Sequence, residues 1–212
     1  MRVALIHATT TAVQPIEKAF LEMAPEVELL HFMDTGLLPM IQSSGGLTPE
    51  IINRFSRLLN LAADSNIKCI QLTCSAFNEV TDILQPLYNV KLFRSDEAML
   101  DGALIYNKIG LVSTVKETPI ALTSYLKRKK PDIEVEALVN TDAIKLLFKG
   151  EVDRHDQMVK EMIGGLENRV EAIILSQYSM AHIKDIQCKV PILTGPKASA
   201  QRCLEYMLNM IK

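Results

Sequence analysis

The sequence predicts an α/β protein built from two similar units, each a short parallel sheet flanked by helices, with the active-site cleft between the units. Three observations carry that prediction. Short, mostly apolar runs such as residues 67–72 and 170–175 have the character of strands buried on both faces. The segments between them place apolar residues at helical spacing, so strand and helix alternate as in a parallel α/β sheet. The order strand-helix, strand-helix, strand-helix, strand then occurs twice.

Residues 3–6 read as a buried strand whose polar edge carries His7, Thr9, Thr10 and Thr11, with a helix over about 15–23. The three hydroxyls either bind an anion or cap that helix. Residues 27–32 are a second strand, and 34–46, with Gly36, Pro39, Ser43, Ser44, Gly45 and Gly46, read as a loop, either a lid or a plain surface connection. Thr48-Pro49-Glu50 opens a helix to about Asp64, with a capping residue followed by proline at the first helical position. The strand over 67–72 follows, then Cys74, then a helix over 77–87 with Glu79 suited to its first turn and Ser75 available as its cap. Residues 90–93 are a strand and 96–106 a helix.

The second unit opens as the first does, with a strand over 108–114 that ends in Ser113 and Thr114. Thr114-Val-Lys-Glu117 has the spacing of a capping box for a helix that runs to about Lys130 and is closed by Pro131. Its run of Lys127 to Lys130 suits a solvated helix C-terminus rather than a nucleic-acid patch. A strand over 133–139, a helix over 141–148 and a longer helix over 153–168, interrupted or ended near Gly164-Gly165, come next. The strand over 170–175 ends in Ser176-Gln177-Tyr178-Ser179-Met180, and after a last strand over 190–193 an amphipathic helix runs from Thr194-Gly-Pro196 to about Ile211. The expected units are residues 1–95 and 96–195, with the helix over 196–212 packing back on the first.

Composition bounds the function. With 212 residues, 48% of them hydrophobic, the chain can bury a sizeable core. A net charge of −2 and a pI near 6.1 give no basic footprint for nucleic acid, and no apolar run approaches the length of a membrane span. The first residues lead directly into a strand without the pattern of a signal peptide, so the expected compartment is the cytosol and the four cysteines are expected as reduced thiols. There is no Gly-rich dinucleotide fingerprint and no phosphate loop. His7, His31, His155 and His182 show no metal-ligand spacing, so they read as edge or surface histidines and no metal is expected.

The chemistry is placed at Cys74. A thiolate is the reactive form of cysteine, and its pKa falls when the sulfur faces the positive N-terminal end of a helix. In open α/β sheets ligands bind beyond the carboxyl ends of the strands. The alternative is a small buried hydrophobe. Cys69 lies five positions earlier, on the opposite face of the strand, and cannot form a clip with Cys74. Gln177 holds in the second unit the place that Cys74 holds in the first, 103 positions later.

Ala4-Leu-Ile-His-Ala-Thr9, Gly46-Leu-Thr-Pro49, Leu72-Thr-Cys-Ser-Ala-Phe77, Asp96-Glu-Ala-Met99, Gly110-Leu-Val-Ser-Thr114 and Ser176-Gln-Tyr-Ser-Met-Ala181 together resemble the aspartate/glutamate/hydantoin racemase superfamily, in its Asp/Glu racemase-like branch. The resemblance covers nearly the whole chain in order. It implies two pseudo-twofold-related α/β units, a homodimer, a small carboxylate substrate and deprotonation by cysteine thiolates without pyridoxal phosphate or metal. Cys74 matches the first of the two family cysteines, and Gln177 stands where the second falls. An amide cannot transfer a proton as a thiol does, which opposes two-base racemisation. By the same resemblance His7, Thr9, Thr10, Ser75, Ser113, Thr114, Gln177 and Ser179 would bind the substrate carboxylate, and Cys74 would be base, acid or nucleophile. The function implied is a racemase- or epimerase-type isomerase; a single-cysteine decarboxylase, a cis-trans isomerase of small dicarboxylates and a noncatalytic carboxylate-binding protein are the alternatives.

Overall fold

The computed structural model describes residues 1–116 and 118–210, and the chain divides into two compact units, Met1–Glu97 with Pro196–Lys212, and Ala98–Gly195. The first unit carries β1 (Arg2–His7), β2 (Glu28–Met33), β3 (Cys69–Leu72) and β4 (Lys91–Phe93) in one parallel sheet of order β2-β1-β3-β4. Its helices are α1 (Val13–Met23), α2 (Leu37–Ser44), α3 (Pro49–Ala63) and α4 (Asn78–Leu84), and α5 (Glu97–Ala103) crosses the boundary between the units. The second unit carries β5 (Lys108–Ser113), α6 (Thr118–Lys129), β6 (Glu134–Val139), α7 (Thr141–Phe148), α8 (Val152–Leu166), β7 (Ala172–Leu175) and β8 (Ile192–Thr194). Its sheet, also parallel, has the order β6-β5-β7-β8. The two sheets thus share one topology, and the expected α/β class with a repeated short parallel sheet is what the chain forms.

The central strands are mostly apolar because both faces are covered, Gln71 of β3 being a buried exception. All four residues of β3 and all four of β7 are buried. On one face of the first sheet Ala4, Ile6, Ile70 and Leu72 pack with Ile51, Phe55 and Leu59 of α3, where Phe55 stacks on Phe77 with ring centroids 5.3 Å apart. Alternation puts Val3, Leu5 and His7 on the other face. The last helix, α9 (Gly195–Asn209), lies on the first unit: Tyr206 packs edge-on against Phe93 at 5.4 Å, and the Cys203 thiol donates to Gln71 Oε1 at 3.4 Å. In the second unit Val112, Ile173 and Leu175 pack against Val159, Ile163 and Leu166 of α8.

Several boundaries differ from the sequence reading. The expected loop over 34–46 contains α2, closed by Gly45 in the left-handed region at φ 72°. Pro39 is its third residue, where the backbone has no helical acceptor to lose, and buried Leu37 anchors it. The helix α8 is not interrupted at Gly164-Gly165; it ends one residue later, at Leu166, close to the expected stop and short of Asn168. A Cβ on Gly165 would stand 3.2 Å from Leu138 Cδ1, so the glycine there serves close approach to β6. Thr48 caps α3 as its position predicts, accepting from the Ile51 N–H at 3.3 Å. The capping box to Glu117 and the end of the last helix at Ile211 lie outside the described residues.

Candidate active site

Cys74 lies two residues past the end of β3 and opens a three-residue 3-10 turn, Ser75–Phe77, which the backbone closes by Phe77 N–H donating to Cys74 O at 3.2 Å. The regular helix α4 starts only at Asn78 and has seven residues, and Ser75 does not cap it: the N-cap is Phe77, without a side-chain bond. Glu79 does fall in its first turn. The sulfur packs against the apolar cluster of the first sheet. Burial therefore pushes the Cys74 thiol up to about 11, and the Ala76 backbone N–H that bonds it offsets only part of this. The expected depressed pKa is corrected: a short 3-10 turn supplies little dipole, and desolvation outweighs it.

The polar edge of β1 is mostly internally bonded. His7 is fully buried, with Nδ1 2.9 Å from Thr73 Oγ1 and Nε2 3.0 Å from His31 Nδ1. The two rings stack at 5.2 Å, and His31 Nε2 reaches Glu17 at 3.3 Å. Burial, helped by the neighbouring His31, holds His7 at about 4, so it is neutral at physiological pH. Thr9 and Thr11 hydroxyls bond each other at 3.1 Å, Thr10 is exposed, and none of the three makes a side-chain cap to the turn or helix that follows. Ser75 is partly buried beside Cys74.

The second unit repeats this geometry with different chemistry. β1 pairs Ile6 with Leu72 and β5 pairs Val112 with Leu175, so Cys74 and Gln177 each stand two residues beyond a matched pair. Each is the extended N-cap of a three-residue 3-10 turn, Gln177 at φ −120° and ψ 144° before Tyr178–Met180. Gln177 Oε1 accepts from the Thr114 backbone N–H at 2.9 Å and from its hydroxyl at 3.2 Å, while Nε2 donates to Ser113 Oγ at 2.9 Å. Ser113 Oγ in turn donates to Val115 O at 2.7 Å. Ser113, Thr114 and Gln177 are thus brought together as a closed clasp on the end of β5, with both hydroxyls buried. Ser179 and Tyr178 are buried in the turn, and Ser179 O receives His182 Nδ1 at 2.5 Å.

Sequence reasoning missed three features. Asn78 is buried at the head of α4, and its Oδ1 accepts from Ser95 N–H at 2.8 Å and Ser95 Oγ at 3.1 Å, tying Cys74's turn to the chain after β4. There Arg94 pairs with Asp96 and Asp82, both at 3.2 Å, and Asp96 is driven upward by burial against the opposing pull of Arg94. Arg94 had no signal in the sequence, and Asp96 stood there only within one of the segments that carry the resemblance. The third is the company the histidines keep: His7 and His155 are fully buried rather than at an edge or surface, and the fold brings His155, Asp156 and His182 together.

No family model matches the chain, and no curated protein does either. Solved structures share its fold. Glutamate racemase from Francisella tularensis in complex with D-glutamate superposes with a TM-score of 0.74 at 16% identity, over 99% of this chain and 82% of the other. Aspartate racemase from Picrophilus torridus gives 0.75 at 15% identity, over 96% and 93%. Allantoin racemase from Klebsiella pneumoniae gives 0.74 at 17% identity, over 99% and 89%. At these identities the likeness is one of fold. Among the described residues no helix is long and apolar enough to cross a membrane.

Proposed function

We propose that this protein is a cofactor-independent isomerase of the racemase or epimerase type, acting beside the carboxylate of an amino acid or related small acid, with Cys74 as its acid/base. The observation that carries the reading is the position of Cys74, just beyond the carboxyl end of a central strand in a fold shared with racemases of glutamate, aspartate and allantoin. Proton removal beside a carboxylate makes a carbanion or enolate, and donors placed where that charge develops stabilise it. The Ser75 backbone N–H, the exposed Thr10 hydroxyl and the Thr9 hydroxyl are the donors assigned to the carboxylate, the Ala76 and Phe77 amides being turned to Cys74 itself. Gln177, Ser113 and Thr114 shape the second unit's strand ends, since their polar atoms are engaged with one another. The reading includes a cytoplasmic homodimer, which sedimentation velocity of the purified chain tests.

The raised thiol favours a second reading. A thiol near pKa 11 is protonated at neutral pH, so delivering a proton to a carbanion is the step it is ready for. Loss of carbon dioxide from a substituted malonate leaves such an enolate. The Cys74 S–H would then protonate the α-carbon, and the thiolate left behind would regain its proton from water. Chiral chromatography of single enantiomers of aspartate, glutamate and hydantoins, run beside carbon dioxide release from substituted malonates, separates the two. Inverted product that disappears in Cys74→Ala supports the isomerase; carbon dioxide alone supports the decarboxylase. Turnover unchanged in Cys74→Ala would sink both.

A further inference from the structure

We propose that His155, Asp156 and His182 form a binding site for one divalent transition-metal cation of the zinc class, independent of the reaction at Cys74. The side chains come from α8 and from the turn after β7, and their donor atoms converge: Asp156 Oδ1 lies 2.7 Å from His155 Nδ1 and 2.9 Å from His182 Nε2. All three atoms lie within 4.8 Å of one another. The hydrogen count then calls for positive charge between His182 Nε2 and the carboxylate, which either a metal ion or a proton supplies. His182 Nδ1 is 2.5 Å from the Ser179 carbonyl oxygen and must donate to it, which leaves the lone pair of a neutral imidazole on Nε2. That lone pair faces a carboxylate oxygen at 2.9 Å, an arrangement that is repulsive unless positive charge stands between them.

A backbone carbonyl holding the far nitrogen of a ligand histidine is the outer support that fixes its tautomer and orientation. His155 is fully buried, its ring stacked on His182 at 5.7 Å, and Nδ1 toward Asp156 is its polar contact, Nε2 having no hydrogen-bond partner among the described residues. Asp156 and His182 keep 21% and 27% of their side chains exposed, which gives an ion a route in and leaves room for water as a fourth ligand. Two imidazoles and one carboxylate favour zinc, cobalt or nickel over magnesium or calcium. Nitrogen-to-metal bonds of about 2.0–2.1 Å require the rings to retreat from the shared oxygen by roughly 0.5 Å. The buried His155 ring stays in place, and the partly exposed Asp156 carboxylate and His182 ring supply that movement.

The test uses the full chain after washing with chelator. Zinc calorimetry should give one ion per chain, and cobalt should produce the visible absorption of a tetrahedral site. Asp156→Asn and His182→Gln should each weaken binding by about tenfold or more, whereas His31→Gln should leave it unchanged. Circular dichroism checks that the variants fold. Should either fail to fold, zinc protection of His182 against diethylpyrocarbonate in the native protein replaces it. No heat and no cobalt band in the native chain, or native affinity in His182→Gln, or equal modification of His182 with and without zinc, would overturn the proposal and assign the intervening charge to a proton.

Discussion

Replacing Gln177 by leucine keeps the side chain's approximate bulk and deletes its three hydrogen bonds to Ser113 and Thr114. Each is worth about 1 kcal/mol net, and a buried backbone N–H deprived of its acceptor costs about 1–3 kcal/mol. Thr114 is fully buried, so its N–H loses Gln177 Oε1 without water to replace it. The expected loss is about 2–4 kcal/mol, read as a lowered urea midpoint at unchanged slope by circular dichroism. A loss below about 0.5 kcal/mol, the scale of an ordinary surface change, would refute the clasp. Gln177 would then be free to point its amide at a ligand, and its assignment as a shaping residue would fall with it.

Peptide-level mass spectrometry of iodoacetamide labelling should show Cys74 reacting about tenfold faster per pH unit up to pH 10 or so, without levelling, because its thiolate forms only near pH 11; levelling by pH 8 would show an activated thiolate instead. His7 is neutral in the fold down to about pH 4, whereas in the unfolded chain it takes a proton near 6.5. Stability is therefore full above pH 6.5 and falls as pH drops from 6.5 to 4, by about 3 kcal/mol in total for this group. His7→Asn should flatten that window in urea titrations at pH 7 and pH 4.5, and an unchanged slope would remove His7 as its cause.

The sheets were legible because a strand covered on both faces is predominantly apolar: residues 172–175 are apolar throughout, and in 69–72 the single polar residue, Gln71, is buried on its own hydrogen bonds. The equivalence of Cys74 and Gln177 was legible for the same reason, each standing at a fixed offset past such a run. The helix α2 was hidden because glycine, proline and serine dominate its stretch, although Leu37, Leu38, Met40 and Ile41 supply the apolar side that packs. The state of the Cys74 thiol was read wrongly because the dipole is local and visible in sequence, while desolvation depends on side chains gathered from residues far along the chain. The partners of His7 and of His182 lie 24 and 26 positions away, in other elements, and no periodicity encodes such meetings.

The central claim is that Cys74 exchanges a proton with a carbon beside a carboxylate. Proton NMR in D₂O of aspartate, glutamate, hydantoins and substituted malonates, each with the native protein and with Cys74→Ala, tests it most directly. The account predicts loss of a Cα–H signal, or deuterium in a decarboxylated product, in the native sample and none in Cys74→Ala. Exchange at equal rates in both samples would contradict it.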